Sequence, residues 1–580
     1  MKTIIAFFFI FSLVLTACNA PDEKNKTEQF TYKAQDTSWK SLSLREKIGQ
    51  TMMVTSDYYS HKKIGADSSL QDFFAHYPIG GLFMAQWHFA YQKPDWLQYE
   101  TFIPKIMKEY EEASTYPLFF SEDFERGAGY NYKTGTKLPV EMTLGAANDT
   151  SLAQKYAHIV CRESRAMGFN WLLHPVADLN MNPLHPLVIE RAVSDNAERA
   201  LPILLHQMNA MHNESVISTI KHFPGDGATI ADQHLITASN NLSLKDWHAT
   251  YGKVFQTLID EGAPSIMVGH INFPAYQSEK INDMYPPATL SKEIMVDLLK
   301  QEMGFSGVIV SDAMNMGGAS GFYKNPLENS IQCFMAGADM ILWPPLAYMD
   351  SIEARIKRGE IPMERLDDAV ERIWAVREQF DLLDKKEDIT TPLPENHTEF
   401  VDNTLTQLSE KSVTLIKNKN NTLPLSPETD STILLANISY FDKSSLFEPM
   451  KKELEAEGFS VSIIHDLHLH NWQWRWDSLL TYDKVIVCFE NKYFDPVGSP
   501  LLKDHEAYSL WTIKDLPTDR IIGVSFSNPY YNTFYLEPNP VLINAYSSDV
   551  YMQKAVVKLL MGDIEATATS PVNLNHPVMK

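Results

Sequence analysis

Cysteine is scarce in this chain. Its 580 residues hold four, at positions 18, 161, 333 and 488. With Cys18 set apart as belonging to the N-terminal segment, three widely separated thiols cannot build a complete disulfide framework. None has the spacing of a zinc-ligand set, so they read as small buried apolar side chains. Basic residues are in deficit too: 50 Lys and Arg stand against 73 Asp and Glu, for a net charge of -23 without an acidic tail. Nucleic-acid binding needs a basic face, so that class of partner is set aside and the charge reads as a solubilising surface. No GxxxxGK[ST] loop occurs, and no metal or organic cofactor is implied. Repeats and low-complexity blocks are missing after the first 39 residues.

The N-terminus is where an apolar run stands out. Lys2 precedes Ile4-Ile5-Ala6-Phe7-Phe8-Phe9-Ile10-Phe11, followed by Leu15-Thr16-Ala17-Cys18. A basic start, a short apolar core and small residues before a cleavage point describe a secretory signal. The run is too short and wrongly flanked for an ordinary spanning helix. Its Leu-Thr-Ala-Cys ending resembles a bacterial lipoprotein signal, which implies removal of residues 1–18 up to an acylated Cys18. Residues 19–39 then read as a flexible tether. The expectation is an exported protein of the cell envelope, periplasmic or outer-membrane associated, held to a membrane by its lipid.

From Leu44 to about Phe380, short apolar runs alternate with helical patterns. The runs are Thr51–Val54, Gly80–Met84, Pro117–Ser121, Asn170–Leu173, Ser215–Lys221, Ser265–Gly269, Gly307–Ser311 and Asp339–Trp343. Brief continuous apolar runs suit strands buried on both faces, and amphipathic stretches such as Lys292–Glu302 connect them. Eight such units predict an α/β fold with a (β/α)8 TIM-type barrel over 40–383, an open doubly wound sheet being the alternative. Charges, paired threonines and prolines make 384–400 a linker. Strands are then expected within Ser412–Asn418, Ser431–Ile438, Ser460–Ile464, Lys484–Phe489, Arg520–Phe526 and Pro540–Ala545, giving a smaller open α/β sandwich domain over 401–570. Trp472, Trp474 and Trp476 recur at period two. They read as packing residues of a strand or loop, with stacking on sugar rings as the other use.

Barrels carry their chemistry at the C-terminal ends of the strands. Asp123 and Glu125 follow the third run, Asp178 and Arg191 the fourth, Lys221 and His222 close the fifth, His270 the sixth and Asp312 the seventh. Asp312 emerges from Gly-Val-Ile-Val-Ser, where a carboxylate serves as nucleophile, metal ligand or N-cap of a helix starting near Met314. In Lys221–His234, Pro224, Gly225 and Gly227 impose a loop. Asp232 and His234, two apart in extended chain, point the same way. A carboxylate beside imidazole fixes its tautomer and supports the protonated ring, giving a proton donor that works near neutral pH. A surface loop with a chance Asp-x-His is the competing reading.

These segments together, Lys221-His222-Phe223-Pro224-Gly225 with Asp232-Gln233-His234 and Val310-Ser311-Asp312-Ala313-Met314-Asn315-Met316, resemble glycoside hydrolase family 3, closest to its β-N-acetylhexosaminidase branch. Supporting stretches are Leu44–Gln50, Met267–His270, Pro287–Ser291 and Gln301–Phe305, with a weaker likeness at Ser412–Asn418 and Leu423–Leu425. The resemblance implies a retaining exo-acting hydrolase removing terminal β-linked N-acetylglucosamine, with peptidoglycan fragments as a substrate class. Asp312 would be the nucleophile, His234 the acid/base and Asp232 the residue orienting it. Asp123, Arg191, Lys221 and His222 would hold the sugar hydroxyls, and His270, close by, would join them in binding substrate. Two departures touch sugar recognition: Asp226 stands where the branch usually has His, and Tyr130-Asn131 stand where arginine is common. The alternatives are an exo-β-glucosidase or xylosidase, a phosphorylase, whose incoming phosphate an imidazole tolerates better than a carboxylate would, and a non-catalytic sugar-binding lipoprotein. The last requires loss of a key residue, yet Asp232, His234 and Asp312 are all present.

Overall fold

The computed structural model describes residues 30–56, 69–90, 99–132, 134–439, 445–465, 467, 477–491 and 499–577. Cys18, the signal segment, residues 19–29 of the tether and the Trp472, Trp474 and Trp476 series lie outside the described residues. Residues 30–39 are not free tether but pack on the barrel, with Trp39 buried, Tyr32 Oη donating to the Gly262 carbonyl at 2.9 Å and the Gln35 N–H to Glu378 at 2.7 Å. Eight strands form the first sheet: β1 (Met52–Thr55), β2 (Gly81–Phe83), β3 (Phe119–Glu122), β4 (Trp171–Leu172), β5 (Ile217–Phe223), β6 (Ser265–Val268), β7 (Val308–Ser311) and β8 (Ile341–Leu342). All seven ladders between neighbours are parallel, in the order β8-β1-β2-β3-β4-β5-β6-β7. A parallel bridge between Val310 and Met340 closes the ring, and Ser311 donates its N–H to the Met340 carbonyl at 3.0 Å. The result is a closed parallel barrel, not an open sheet.

Burial on both faces explains why the runs do not alternate. Met53, Phe83, Phe119, Trp171, Ile217, Val308, Val310 and Leu342 fill one cluster, the barrel interior. Their neighbours Val54, Leu82, Phe120, Ile266 and Ile309 join the outer core beneath the helices. The floor is tied by Arg377, whose guanidinium sits 3.9 Å over the Phe119 ring and donates to the carbonyls of Pro117 and Gly80 and to Gln50. These partners precede β1, β2 and β3, so Arg377 braces the end opposite the mouth, where barrel residues serve stability. Burial brings its pKa down to about 9.

The segment read as a linker over 384–400 already contains the start of the helix His397–Ser412. Glu163 of the barrel holds His397 Nε2 at 3.0 Å. Beyond it come β9 (Thr414–Asn418), β10 (Thr432–Ser439), β11 (Ser460–Ile464), β12 (Lys484–Glu490), β13 (Ile521–Ser525) and β14 (Val541–Asn544). Their order is β9-β14-β13-β12-β10-β11, with only β9 antiparallel to its neighbour. This open sheet buries one apolar layer on each face. Sequence and structure agree here on an α/β barrel followed by a smaller sheet domain.

Candidate active site

The polar side chains singled out in sequence meet at the C-terminal mouth of the barrel. Their centre is Glu125, just beyond β3. Arg191 grips it with two parallel bonds of 2.8 and 2.7 Å, and Lys221 Nζ lies 2.6 Å away. Lys221 also donates to Asp123 at 2.7 Å. Phe124, between the two carboxylates, takes φ 50 and is fully buried. That left-handed turn, uncommon for an aromatic residue, lets Asp123 and Glu125 converge on one ammonium. Burial would raise the Glu125 pKa, but Arg191 and Lys221 hold it well below the usual carboxylate range. For Lys221 burial works the other way, and Asp123 and Glu125 outweigh it to leave the pKa raised. Glu125, Lys221 and Arg191 therefore form a charged lattice, with Asp123 its more open member.

Lys221 and His222 are consecutive on β5, where the register against β6 shifts between Ile220 and Phe223. Such an irregularity re-aims side chains that a regular strand would send to opposite faces. His222 donates its Nδ1–H to Asp178 Oδ2 at 2.6 Å, while Asp178 Oδ1 accepts the backbone N–H groups of His222 and Asp226. Asp178 thus orients His222. Asp226, the departure noted in sequence, holds His185 Nε2 at 2.9 Å and is nearly fully buried. The loop can pass here because Gly227 has φ +99 and a Cβ on it would lie 2.1 Å from the Leu179 carbonyl oxygen.

Asp312 and His234 belong to one assembly. The Asp312 N–H donates to Val268 on β6 at 2.9 Å, and the carboxylate accepts the Ala313 N–H at 2.7 Å. No α-helix starts near Met314; a short 3-10 turn lies at Gly317–Ala319 and the next α-helix begins at Pro326. The helix-cap reading of Asp312 falls away. Five and six residues on, Gly317 and Gly318 donate their N–H groups to the carbonyls of His234 (2.8 Å) and Gln233 (3.0 Å). Gly318 is required: a Cβ there would lie 2.6 Å from the Gln233 carbonyl oxygen. These bonds pin the imidazole loop onto the segment that carries Asp312. His234 Nδ1 lies 2.9 Å from Asp232 Oδ1, which also accepts the His234 backbone N–H. Asp232 is buried while the His234 side chain is 31% exposed, so the anchor is inside and the ring reaches the opening. Burial pushes the Asp312 pKa up, but His270, His222, the Ala313 N–H and His234 together bring it below the ordinary value. Asp312 is a buried carboxylate kept ionised, as a nucleophile needs to be.

His270 differs from expectation. It sits at the end of β6, yet it is fully buried with Nδ1 2.8 Å from Thr289 Oγ1 and Nε2 3.0 Å from the Ala313 carbonyl. Both ring nitrogens are engaged inside the protein, so His270 braces the Asp312 loop instead of offering a donor to a sugar. Its N–H on Gln233 Oε1 at 2.9 Å ties the same brace to the His234 loop.

Behind the lattice lies a cluster that sequence reasoning missed. Glu141 is buried, accepts both of its oxygens' bonds from Gln207 Nε2 at 3.1 and 3.0 Å, and lies 3.4 Å from His174. Burial pushes Glu141 up to about 8 and His174 down to about 3, so both are neutral near pH 7. Below its ordinary value of 4.5, the Glu141 carboxyl is protonated whether folded or not. As pH rises through about 8 the unfolded chain has released that proton first, and folded stability is lost. Glu141→Gln is expected to gain Tm over the parent chain by several degrees between about pH 5 and pH 9. Thermal scans across that range would show a constant gap if Glu141 were already ionised.

Carboxylates, imidazoles and cations gathered at this mouth stand where a (β/α)8 enzyme carries its chemistry. Comparison with known proteins narrows the class: residues 43–376 match the glycosyl hydrolase family 3 N terminal domain, more than half the chain, and the protein belongs to that family as a glycoside hydrolase. A β-N-acetylglucosaminidase/β-glucosidase of Cellulomonas fimi is 27% identical over 501 residues, covering 80% of this chain and 85% of its own. Beta-hexosaminidase A of Pseudoalteromonas piscicida is 31% identical over 353 residues, 57% of this chain and 58% of its own. Among solved structures, the β-glucoside phosphorylase BglX superposes with a TM-score of 0.80 at 27% identity over 93% of this chain and 95% of that one. A β-N-acetylglucosaminidase of the family from Paenibacillus sp. str. FPU-7 gives 0.76 at 25% identity over 92% and 99%.

Proposed function

We propose that the protein is a retaining, exo-acting β-N-acetylglucosaminidase. The observation that carries the reading is the pinning of the Asp232–His234 pair, through Gly317 and Gly318, beside the ionised Asp312. Asp312 attacks the anomeric carbon and the leaving oxygen takes a proton from His234. The ring then removes a proton from water as the covalent glycosyl-enzyme is resolved. Asp123, Arg191, Lys221 and His222 hold the terminal sugar. The relatives named for N-acetylglucosaminides support that sugar. Phosphorolysis is the second reading, favoured by the likeness to a β-glucoside phosphorylase over nearly the whole chain and by an acid/base that carries no negative charge to repel phosphate. Aryl N-acetylglucosaminide, glucoside and xyloside, each with and without phosphate, test both. Turnover confined to the glucoside or xyloside sinks the sugar assignment, and accumulation of a sugar 1-phosphate replaces hydrolysis by phosphorolysis.

Export and lipid anchoring at Cys18 belong to the same proposal, with peptidoglycan fragments as the glycans an envelope enzyme would meet. Among the described residues no helix is long and apolar enough to cross a membrane. In fractionated cells Cys18→Ser is expected to move the protein from the membrane to the soluble fraction. An unchanged membrane share would remove the anchor.

A further inference from the structure

Arg191 grips Glu125 from a loop whose two shoulders are held by the C-terminal part of the chain. On one side, Ile189 leaves the barrel and is fully buried among Leu434, Ile438, Tyr531 and Leu542 of the second sheet's core. On the other, Ser194 Oγ donates to the Pro571 carbonyl at 2.5 Å, and Asn573 donates its N–H to Asp195 Oδ2 at 2.7 Å. Arg199 continues the strap, donating to the carbonyls of Ser570 at 3.0 Å and Thr569 at 2.9 Å. Beneath it, Val140, Met142 and Ala146 of the barrel pack with Tyr530, Tyr546 and Val572. Gly145 lets the Arg191 loop lie close against the helix that carries it, since a Cβ there would lie 1.8 Å from the Val193 carbonyl oxygen and 3.1 Å from Pro571 Cβ.

The geometry points to the second domain and residues 569–573 as a clamp that positions Arg191, and through Glu125 also Lys221, for the sugar. The domain's contribution to the reaction is orientation of the sugar-binding lattice, with Ile189, Ser194 and Asp195 as positioning residues. Fixing a loop between two anchored points removes freedom that substrate would otherwise have to freeze out on binding, and small misplacements of such groups are costly. This inference rests on the reading above, in which Arg191 holds the substrate.

The test uses the full-length chain carrying Ser194→Ala and Arg199→Met together, which frees the strap without touching Arg191. On an aryl glycoside with a good leaving group, KM is expected to rise about 10-fold while kcat stays within about 3-fold. A second variant, ending after Ala568, is expected to behave likewise and to recover its KM when a synthetic peptide of residues 566–580 is added. In a double-mutant cycle Arg191→Lys raises KM in the full chain, and its combination with the freed strap adds little more. An unchanged KM in the strap variants, or a fall in kcat and Tm alone, overturns the clamp while leaving the role of Arg191 in place. If Arg191→Lys itself leaves KM unchanged, the assigned role of Arg191 and the clamp fall together.

Discussion

Asp312→Gly is expected to lower kcat/KM by about 10⁴-fold or more while the barrel stays folded. The carboxylate accepts a single short bond, from the Ala313 N–H, and the strand tip is otherwise held by backbone bonds that glycine retains. Stability is thus little engaged and the loss is chemical. With a dinitrophenyl glycoside the vacated space admits azide, which attacks from the nucleophile's side and yields the α-glycosyl azide, a product of single inversion. Its formation ties the position to covalent catalysis and not merely to substrate binding. Activity within tenfold of the parent enzyme, or a β-azide from this variant, would remove Asp312 from the role. The depressed pKa supplies a check on acidity: because His270, His222 and His234 keep the carboxylate ionised against burial, the acid limb of kcat/KM should fall below the ordinary carboxylate range. An acid limb well above that range would assign the limiting proton to another group.

What the sequence made legible follows from where each signal lives. Every barrel strand lies within or beside its predicted run, because burial on both faces leaves a continuous apolar segment bounded by turn residues. Placement of Asp123, Lys221, His222 and Asp312 at strand ends follows from one topological rule and required no contact information. Function within the mouth is another matter. Asp178 and Glu125 were visible at the right strand ends, but their roles as the orienter of His222 and the hub of Arg191 and Lys221 depend on side-chain contacts. His270 reads as a sugar contact by position and proves to be a brace because both its nitrogens are occupied. Glu141, His174 and Gln207 come from three different segments and share no local pattern. The strap across Ser194 and Asp195 joins residues 377 and 378 apart. No periodicity or motif reports such a meeting; it is a property of the closed fold.

His234→Ala carries the other large effect, and its signature is selectivity. A proton donor matters in proportion to the charge left on the departing oxygen, so poor leaving groups should lose about 10²–10⁴-fold in the first step. A dinitrophenyl leaving group, stable without a proton, should lose less than about tenfold in that step. In the proposed mechanism the same ring activates water, so deglycosylation should also slow and a glycosyl-enzyme accumulate, seen as a burst of aglycone followed by a slow steady state. Azide, which needs no base, relieves the second step and gives the β-glycosyl azide, the stereochemical opposite of the product from the Asp312 variant. Asp232→Asn acts one step further back. It keeps a group near Nδ1 but removes the charge that stabilises the protonated ring, so its loss should be smaller than that of His234→Ala and graded with leaving group in the same sense. The buried position of Asp232 against the partly exposed ring fits an orienting role, one that acts through His234. Losses equal across leaving groups, with no burst and no azide effect, would leave His234 as a binding residue. The mouth would then need another proton donor.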